Sequence, residues 1–368
     1  MKVPLLDLGA QYRAIKPEID AALLGACEKT QFILGPAVAD FEARFAEYCG
    51  VAACAAVNSG TNALFLPLHF LGIGPGDEVI CPSWTFVATA EAIMYTGATP
   101  VLVDCDPVTF NITADAVEAA ITERTKAIMP VHLYGRPCDI EGICRVAAAR
   151  GIPVIEDAAQ AHGAAVGGKR VGSFGRFGAF SFYPSKNLGA FGEGGAVVSD
   201  DADAIARIKR LRAHGEIERY IHGELGFNMR LEGFQGAVLG VKLAYLERWN
   251  EERRRVGGAY RKALSGTPVT MMADDAPGMR QVYHLMVVRA PKRNELRAFL
   301  ESKGIGTAIH YLLPVHKQPL WLEKYGDNLS LPVSETLADE ILSLPMYPEM
   351  ADEQIEYVCA AVKEFYSG

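Results

Sequence analysis

Between residues 50 and 200, short apolar runs alternate with longer stretches whose apolar positions recur at helical spacing. The runs fall at 53–57, 78–81, 100–104, 127–133, 153–156, 179–183 and 196–199, and each has the length and β-rich character of a strand. Seven strands joined mostly by helical crossovers predict an α/β fold with a largely parallel sheet covered on both faces. Ligands of such sheets gather at the carboxyl ends of the strands. Past residue 200 the pattern changes. Helices are expected at 204–214 and 234–255, the second with apolar residues at helical spacing and charges on its other face. After Gly266-Thr267-Pro268 a smaller α+β unit follows, with a strand at 283–289, a helix at 293–303 and a terminal helix near 352–365. The expected division is a large domain over 1–250, including an N-terminal arm, and a small C-terminal domain over 251–368.

Composition narrows the class. A chain of 368 residues, half of them hydrophobic, has room for a large core and more than one lobe. A net charge of -8 argues against a nucleic-acid partner, which selects clustered Lys and Arg. The densest basic cluster, Arg253-Arg254-Arg255, follows Glu251 and Glu252 and reads as a solvated helix face. The eight cysteines have no C-x-x-C spacing, and several, such as Cys81 and Cys105, lie in apolar runs; free thiols in a reducing compartment are expected. The eight histidines lack H-E-x-x-H or comparable spacing, so no metal site is expected. Met1-Lys2-Val3-Pro4 opens no secretory leader and no apolar run is long enough to span a bilayer, which predicts a cytoplasmic protein without a membrane partner.

Four landmarks at predicted strand ends carry candidate chemistry. Asn58-Ser59-Gly60-Thr61-Asn62 leads from the first strand into an apolar helix, where free N–H groups and hydroxyls offer donors to a phosphate. The same run also reads as an ordinary Ser/Thr helix cap. Pro82-Ser83-Trp84-Thr85-Phe86 follows another strand, and an aromatic there can stack on a flat ring or fill the core. Trp84 and Phe86 share a side if the strand continues, and the residues alone do not choose between them. Glu156-Asp157-Ala158-Ala159-Gln160 places an acid where it can face a ligand or cap the next helix. Lys186 lies between an apolar strand and Gly192-Glu193-Gly194-Gly195, positioned to form an imine with a carbonyl. A lone lysine is usually a surface residue. The order of a phosphate-type turn, an aromatic, an acid and a lysine on successive strand ends is the informative signal.

These residues resemble the DegT/DnrJ/StrS family of sugar aminotransferases, pyridoxal-phosphate enzymes of fold type I. The resemblance runs nearly end to end. It takes in Pro4-Leu5-Leu6-Asp7-Leu8 with Gln11-Tyr12, Phe32-Ile33-Leu34-Gly35-Pro36, and Gly72-Ile73-Gly74-Pro75-Gly76-Asp77-Glu78-Val79. It continues through the Asp157 and Lys186 motifs, Gly226-Phe227-Asn228-Met229-Arg230-Leu231, and Ile309-His310-Tyr311 with Pro314, His316, Gln318 and Pro319. The resemblance implies that Lys186 holds pyridoxal 5'-phosphate covalently and then serves as the base. It implies that Asp157 pairs with the pyridine nitrogen, that Gln160 sits by the phenolic oxygen, and that Gly60, Thr61 and Ser181 hold the phosphate. The ring-stacking aromatic aligns with Phe86. Asn228 reaches the phosphate of a neighbouring subunit, which implies a homodimer with shared active sites. Tyr183, Arg230, His310, Tyr311 and His316 are the candidate sugar-nucleotide contacts, with Lys317 and the arginines near 253 as further sources of positive charge.

The implied activity is transfer of the amino group of L-glutamate, through pyridoxamine 5'-phosphate, to a nucleotide-linked keto-6-deoxyhexose, with a dTDP-linked 3-keto sugar as the expected acceptor. Gln160-Ala161-His162-Gly163-Ala164, and Tyr183-Pro184 with Asn187-Leu188-Gly189, resemble the subgroup that aminates C3. Ser185 and the loop Gly223-Glu224-Leu225 depart from that subgroup's usual pattern. The alternatives are a C4-specific enzyme, a pyridoxal-phosphate-binding regulator without turnover, and a nicotinamide oxidoreductase. The last lacks the strand-turn-helix G-x-G-x-x-G it would need.

Overall fold

Seven apolar strands make the central sheet of the computed structural model, which describes residues 1–367. They are β1 (Ala53–Val57), β2 (Glu78–Pro82), β3 (Thr99–Val103), β4 (Thr125–Ile128), β5 (Ile155–Asp157), β6 (Phe177–Ser181) and β7 (Gly195–Ser199). One ladder runs β3-β2-β4 and another β1-β7-β6-β5. The parallel bridges Ile128↔Val154 and Val131↔Asp157 join them, giving the spatial order β3-β2-β4-β5-β6-β7-β1. All are parallel except β7, which runs antiparallel to both β6 and β1. Strands β2, β6 and β7 are buried along their whole length, because helices cover both faces and neither side of the strand meets water.

The antiparallel strand decides where the lysine goes. A parallel pair needs a long crossover, whereas an antiparallel pair can be joined by a loop. Residues 182–194, between β6 and β7, are turns and bends, and Lys186 sits in that loop. Gly195, at the start of β7, pairs with Val57 on one side and Ser181 on the other. A Cβ at Gly195 would overlap the Ser59 carbonyl, so only glycine lets the two neighbouring turns approach this closely.

A second core gathers Val256, Tyr260, Met286, Val288, Leu342 and Val358. It is built on β8 (Thr270–Met271), β9 (Met286–Arg289) and β10 (Ile341–Leu344), an antiparallel sheet in the order β8-β9-β10. The helices Arg293–Ser302 and Asp352–Ser367 accompany it. Val3 reaches into this core and bridges to Ile305. The strand expected over 283–289 begins only at Met286; Tyr283 has a positive φ of 43, and the next N–H, of His284, donates to the Tyr134 carbonyl.

Two further expectations are corrected. The single helix expected over 234–255 is two helices, Gly233–Leu243 and Leu246–Leu264. Ala244 and Tyr245 bond back three residues, to Val241 and Lys242, which tightens the first helix to a stop. Buried residues keep a three- to four-residue spacing across the break, at Leu239, Leu243, Leu246, Trp249 and Arg253, so the pattern reads as one helix. Nor is Arg253-Arg254-Arg255 a uniformly solvated face. Successive helical residues point about 100° apart, so Arg255 is exposed beside Glu252 and Asp352, Arg254 meets Asp275, and Arg253 turns inward. Arg253 is 2% exposed and donates to the carbonyls of Tyr283, His284 and Met346 at 3.2–3.3 Å. Burial pulls its guanidinium down to about 10. The eight cysteines are unpaired, and among the described residues no helix is long and apolar enough to cross a membrane.

Candidate active site

The strand ends open into a cavity of about 710 Å³ between the two cores. It brings together Gly60, Thr61, Phe86, Asp157, Gln160, Ser181, Tyr183 and Lys186 from the sheet side and His310 and Tyr311 from the other. Asn228, Arg230 and His316 are not among its walls.

The turn after β1 is both a cap and a cradle. Ser59 Oγ accepts the Asn62 N–H at 3.2 Å and so starts the helix Gly60–Phe70. The N–H groups of Gly60 and Thr61 lie in the first turn, where a helix offers no partner, and no side chain among the described residues takes them. Ser181, at the end of β6, presses against this turn. A Cβ on Gly60 would lie 2.6 Å from Ser181 Cβ and 3.0 Å from its Oγ. Two free donors and a hydroxyl thus converge at the positive end of an 11-residue helix, an arrangement suited to an anion.

Asp157 ends β5, and its carboxylate is clasped at both oxygens. Thr89 Oγ1 donates to Oδ2 at 2.8 Å and the Ala159 N–H donates to Oδ1 at 3.1 Å. Burial pushes the Asp157 carboxyl above its ordinary value, and these two bonds together with the charge of Lys186 oppose that shift. Beneath it, Glu156 is fully buried and accepts His132 Nε2 and the N–H groups of Gly172, Phe174 and Gly175 at 2.7–2.9 Å. Adjacent residues in a strand face opposite ways: Glu156 anchors a loop behind the sheet while Asp157 meets the cavity.

Lys186 is half-buried, and its Nζ has no hydrogen-bond partner among the described residues. Burial pulls the amine down to about 8, with Asp157 acting in the opposite direction. Gln160 is oriented by its contacts. Its Oε1 accepts the Tyr134 N–H at 2.7 Å, so its amide nitrogen faces the Tyr311 hydroxyl at 2.9 Å. His310 Nδ1 lies 2.8 Å from Ser343 Oγ, and burial together with Lys186 pushes its imidazole down to about 4, leaving it neutral. Tyr183, 51% exposed, stands at the mouth.

The aromatic question resolves through the strand's end. Because β2 stops at Pro82, the alternation that would align Trp84 with Phe86 no longer holds. Trp84 is fully buried in the core, whereas Phe86 is 53% exposed and lines the cavity, its ring 5.9 Å from that of Tyr311. His316 is corrected as a substrate contact: it is 1% exposed, enclosed by Ser83 and Glu335. Lys317 pairs with Asp327 at the surface, and Arg253 is committed to backbone carbonyls. Arg230 donates to Asn228 Oδ1 at 3.1 Å, and both lie outside the cavity of this chain.

Several cavity residues escaped the sequence reading. Thr89 lies in the first turn of the helix Ala88–Tyr95, and its hydroxyl is 2.9 Å from that of Thr85, which precedes the helix. His284 arrives from a remote segment with no local signal, and Leu5 and Leu6, legible only as part of the N-terminal motif, also line the cavity.

Comparison with known proteins bears on this geometry. The model of the DegT/DnrJ/EryC1/StrS aminotransferase family matches residues 13–363. The chain is 45% identical over 368 residues to a pleiotropic regulatory protein of Geobacillus stearothermophilus, covering 100% of this chain and 99% of that one. It is 44% identical over 366 residues to the dTDP-3-amino-3,4,6-trideoxy-alpha-D-glucose transaminase of Streptomyces venezuelae, covering 99% and 96%. Among solved structures, that of S. venezuelae DesV in complex with a ketimine intermediate matches with a TM-score of 0.97 at 43% identity, over 100% of this chain and 99% of that chain.

Proposed function

The chain belongs to the DegT/DnrJ/EryC1/StrS aminotransferase family, and from that premise we propose that it moves the amino group of L-glutamate onto C3 of a nucleotide-linked keto-6-deoxyhexose in amino-sugar biosynthesis. It is a pyridoxal-phosphate-dependent transaminase. The observation that carries the reading is the meeting, in one cavity, of an amine without a hydrogen-bond partner among the described residues and a buried carboxylate held at both oxygens.

The residues fit pyridoxal 5'-phosphate. Gly60 and Thr61 offer their free N–H groups, and Ser181 its hydroxyl, to the phosphate; the cradle has room only because residue 60 lacks a Cβ. Bound there, the cofactor supplies an electron sink that makes proton loss beside nitrogen feasible. Phe86 offers an exposed ring to one face. Asp157 would keep the pyridine nitrogen protonated, a role its two donors support by favouring the charged carboxylate against the cost of burial. Gln160 presents its amide nitrogen, already aimed at Tyr311, toward the phenolic oxygen. Lys186 takes up and returns the proton at Nζ, and a value near 8 leaves enough neutral amine for that work at neutral pH. Gly60→Ala forces Ser181 or the turn to move and is expected to weaken pyridoxal phosphate binding about ten-fold or more, measured by equilibrium dialysis of apoprotein.

Among the described residues no arginine lines the cavity, so a diphosphate and the donor's carboxylate need cationic groups from its surroundings. Asn228 and Arg230 follow a loop carrying Tyr220 and Leu225, which are 78% and 81% exposed. Large apolar side chains left this open support a homodimer in which one chain's loop closes its partner's cavity. A division near residue 250 is supported by the second core, whose buried residues, apart from Val3 of the N-terminal arm, all come from Val256 onward.

The name of the Streptomyces relative places its nitrogen at C3 and supports the same position here. The test is to incubate the purified protein with pyridoxal phosphate, L-glutamate and a panel of 3-keto and 4-keto sugar nucleotides. The expected result is a 3-amino sugar by mass spectrometry with one 2-oxoglutarate per product. A 4-amino product selects the C4 alternative. Glutamate that binds without yielding 2-oxoglutarate selects the regulator that the Geobacillus relative's name brings to mind.

A further inference from the structure

A serine, a histidine and a carboxylate stand in line just outside the cavity. Ser83 Oγ lies 2.7 Å from His316 Nδ1, and His316 Nε2 lies 2.9 Å from Glu335 Oε1. In hydrolases that order activates a serine nucleophile. Here Ser83 is fully buried and is not part of the cavity wall, so no substrate reaches its hydroxyl. The protons can be assigned from the partners. A carboxylate only accepts, so Nε2 carries the hydrogen, and in the neutral ring Nδ1 then accepts from the Ser83 hydroxyl. Glu335 also accepts the Leu331 N–H at 3.1 Å, and the bonds from His316 and Leu331 hold its carboxyl below the usual range.

The array grips the turn that follows β2. The Ser83 N–H donates to the Val103 carbonyl, and the Ser83 carbonyl accepts the Val315 N–H, both at 2.9 Å. The Ser83 oxygen also receives the His316 N–H at 3.4 Å. Every polar group of Ser83 is therefore committed, and past the buried Trp84 the chain runs on to Thr85 and Phe86 in the cavity wall. Thr85 continues to Thr89 and Thr89 to Asp157, at 2.9 and 2.8 Å. On the histidine's side, the same segment carries His310 and Tyr311, whose ring packs on Phe86. The contact thus ties two remote segments that line the cavity together.

We propose that His316 is a positioning residue: with Ser83 and Glu335 it sets the placement of Phe86 and, through Thr85 and Thr89, of Asp157 against the bound cofactor. The inference rests on the assignment of the cavity to pyridoxal phosphate. It is tested on full-length apoprotein with pyridoxal phosphate as the probe, reading affinity by equilibrium dialysis, the visible circular dichroism of the saturated complex, and the melting temperature of the apoprotein. His316→Ala and Ser83→Ala are expected to weaken binding about ten- to a hundred-fold and to diminish the dichroic band at saturation. His316→Asn places an oxygen where Nδ1 was and is expected to recover part of both signals. Glu335→Gln keeps an acceptor and is expected to change them least. Folded Ser83→Ala and His316→Ala proteins with unaltered affinity and dichroism overturn the proposal, even with a lowered melting temperature. Where His316→Ala does not fold, Ser83→Ala and His316→Asn decide the same question. Wild-type protein that fails to bind pyridoxal phosphate overturns the cavity assignment itself; wild-type binding with indifferent variants overturns only the role of His316.

Discussion

Lys186→Ala is expected to lose at least about 10⁴-fold in kcat, the upper range for removing a positioned base, while its apoprotein still takes up pyridoxal phosphate through the Gly60–Thr61 turn. Borohydride treatment then fixes the cofactor to wild-type protein at residue 186 and leaves it dialysable from the variant. A fully active variant ends the assignment. The pH dependence follows from the sign of the shift. Burial disfavours the charged amine, so its value falls from 10.5 to about 8, and the neutral, reactive form appears at lower pH. At pH 7 about a tenth of Lys186 is then neutral, against roughly one part in three thousand for an unperturbed lysine. Covalent uptake of pyridoxal phosphate by wild-type apoprotein should rise with pH and level off above about 8. Uptake still climbing steeply through pH 10 would show that the amine is not lowered.

Asp157→Asn should cost about 10²-fold or more in kcat, because an amide cannot keep a ring nitrogen protonated. The substitution also reverses one contact: an Asn nitrogen in place of Oδ2 meets the Thr89 hydroxyl, which then has to accept rather than donate. The apoprotein should fold as before, since a buried carboxyl raised by desolvation gives way to a neutral group of the same shape. Thr89→Val, which removes one of the two donors, should lower kcat less than Asp157→Asn. Steady-state kinetics with saturating glutamate, alongside melting curves, separates these effects. An Asp157→Asn enzyme within a few-fold of wild type is incompatible with the proposed role.

The sheet was legible because strands such as β2, β6 and β7 are buried on both faces, which writes them as largely apolar runs. The landmarks at its carboxyl ends could be placed for the same reason, and Lys186, Asp157 and Gly60 all reach the cavity. What failed depended on side-chain direction or on distant partners. Phe86 could not be told from Trp84 without knowing that β2 stops at Pro82. Arg253 looked like its solvated neighbours because a run of like charges conceals the 100° step between them. His316 carries the chemistry of a ligand-binding side chain, yet both ring nitrogens are claimed by Ser83 and Glu335, far apart in the chain. His284 and Thr89 reach the site only through tertiary packing or a hydroxyl pair, which composition and periodicity do not record.

The double pairing of Gly195 reaches beyond packing. Val57, which leads into the anion-holding turn, and Ser181, which leads into the amine loop, are rungs on either side of this one residue. The separation of the two strand ends, Val57 from Ser181, is thereby gauged by two ladder spacings of about 4.8 Å each, a backbone measure that no cavity side chain enters. The cavity walls farther from the sheet can be exchanged for others while the frame that carries the turn after β1 and the loop after β6 stays the same.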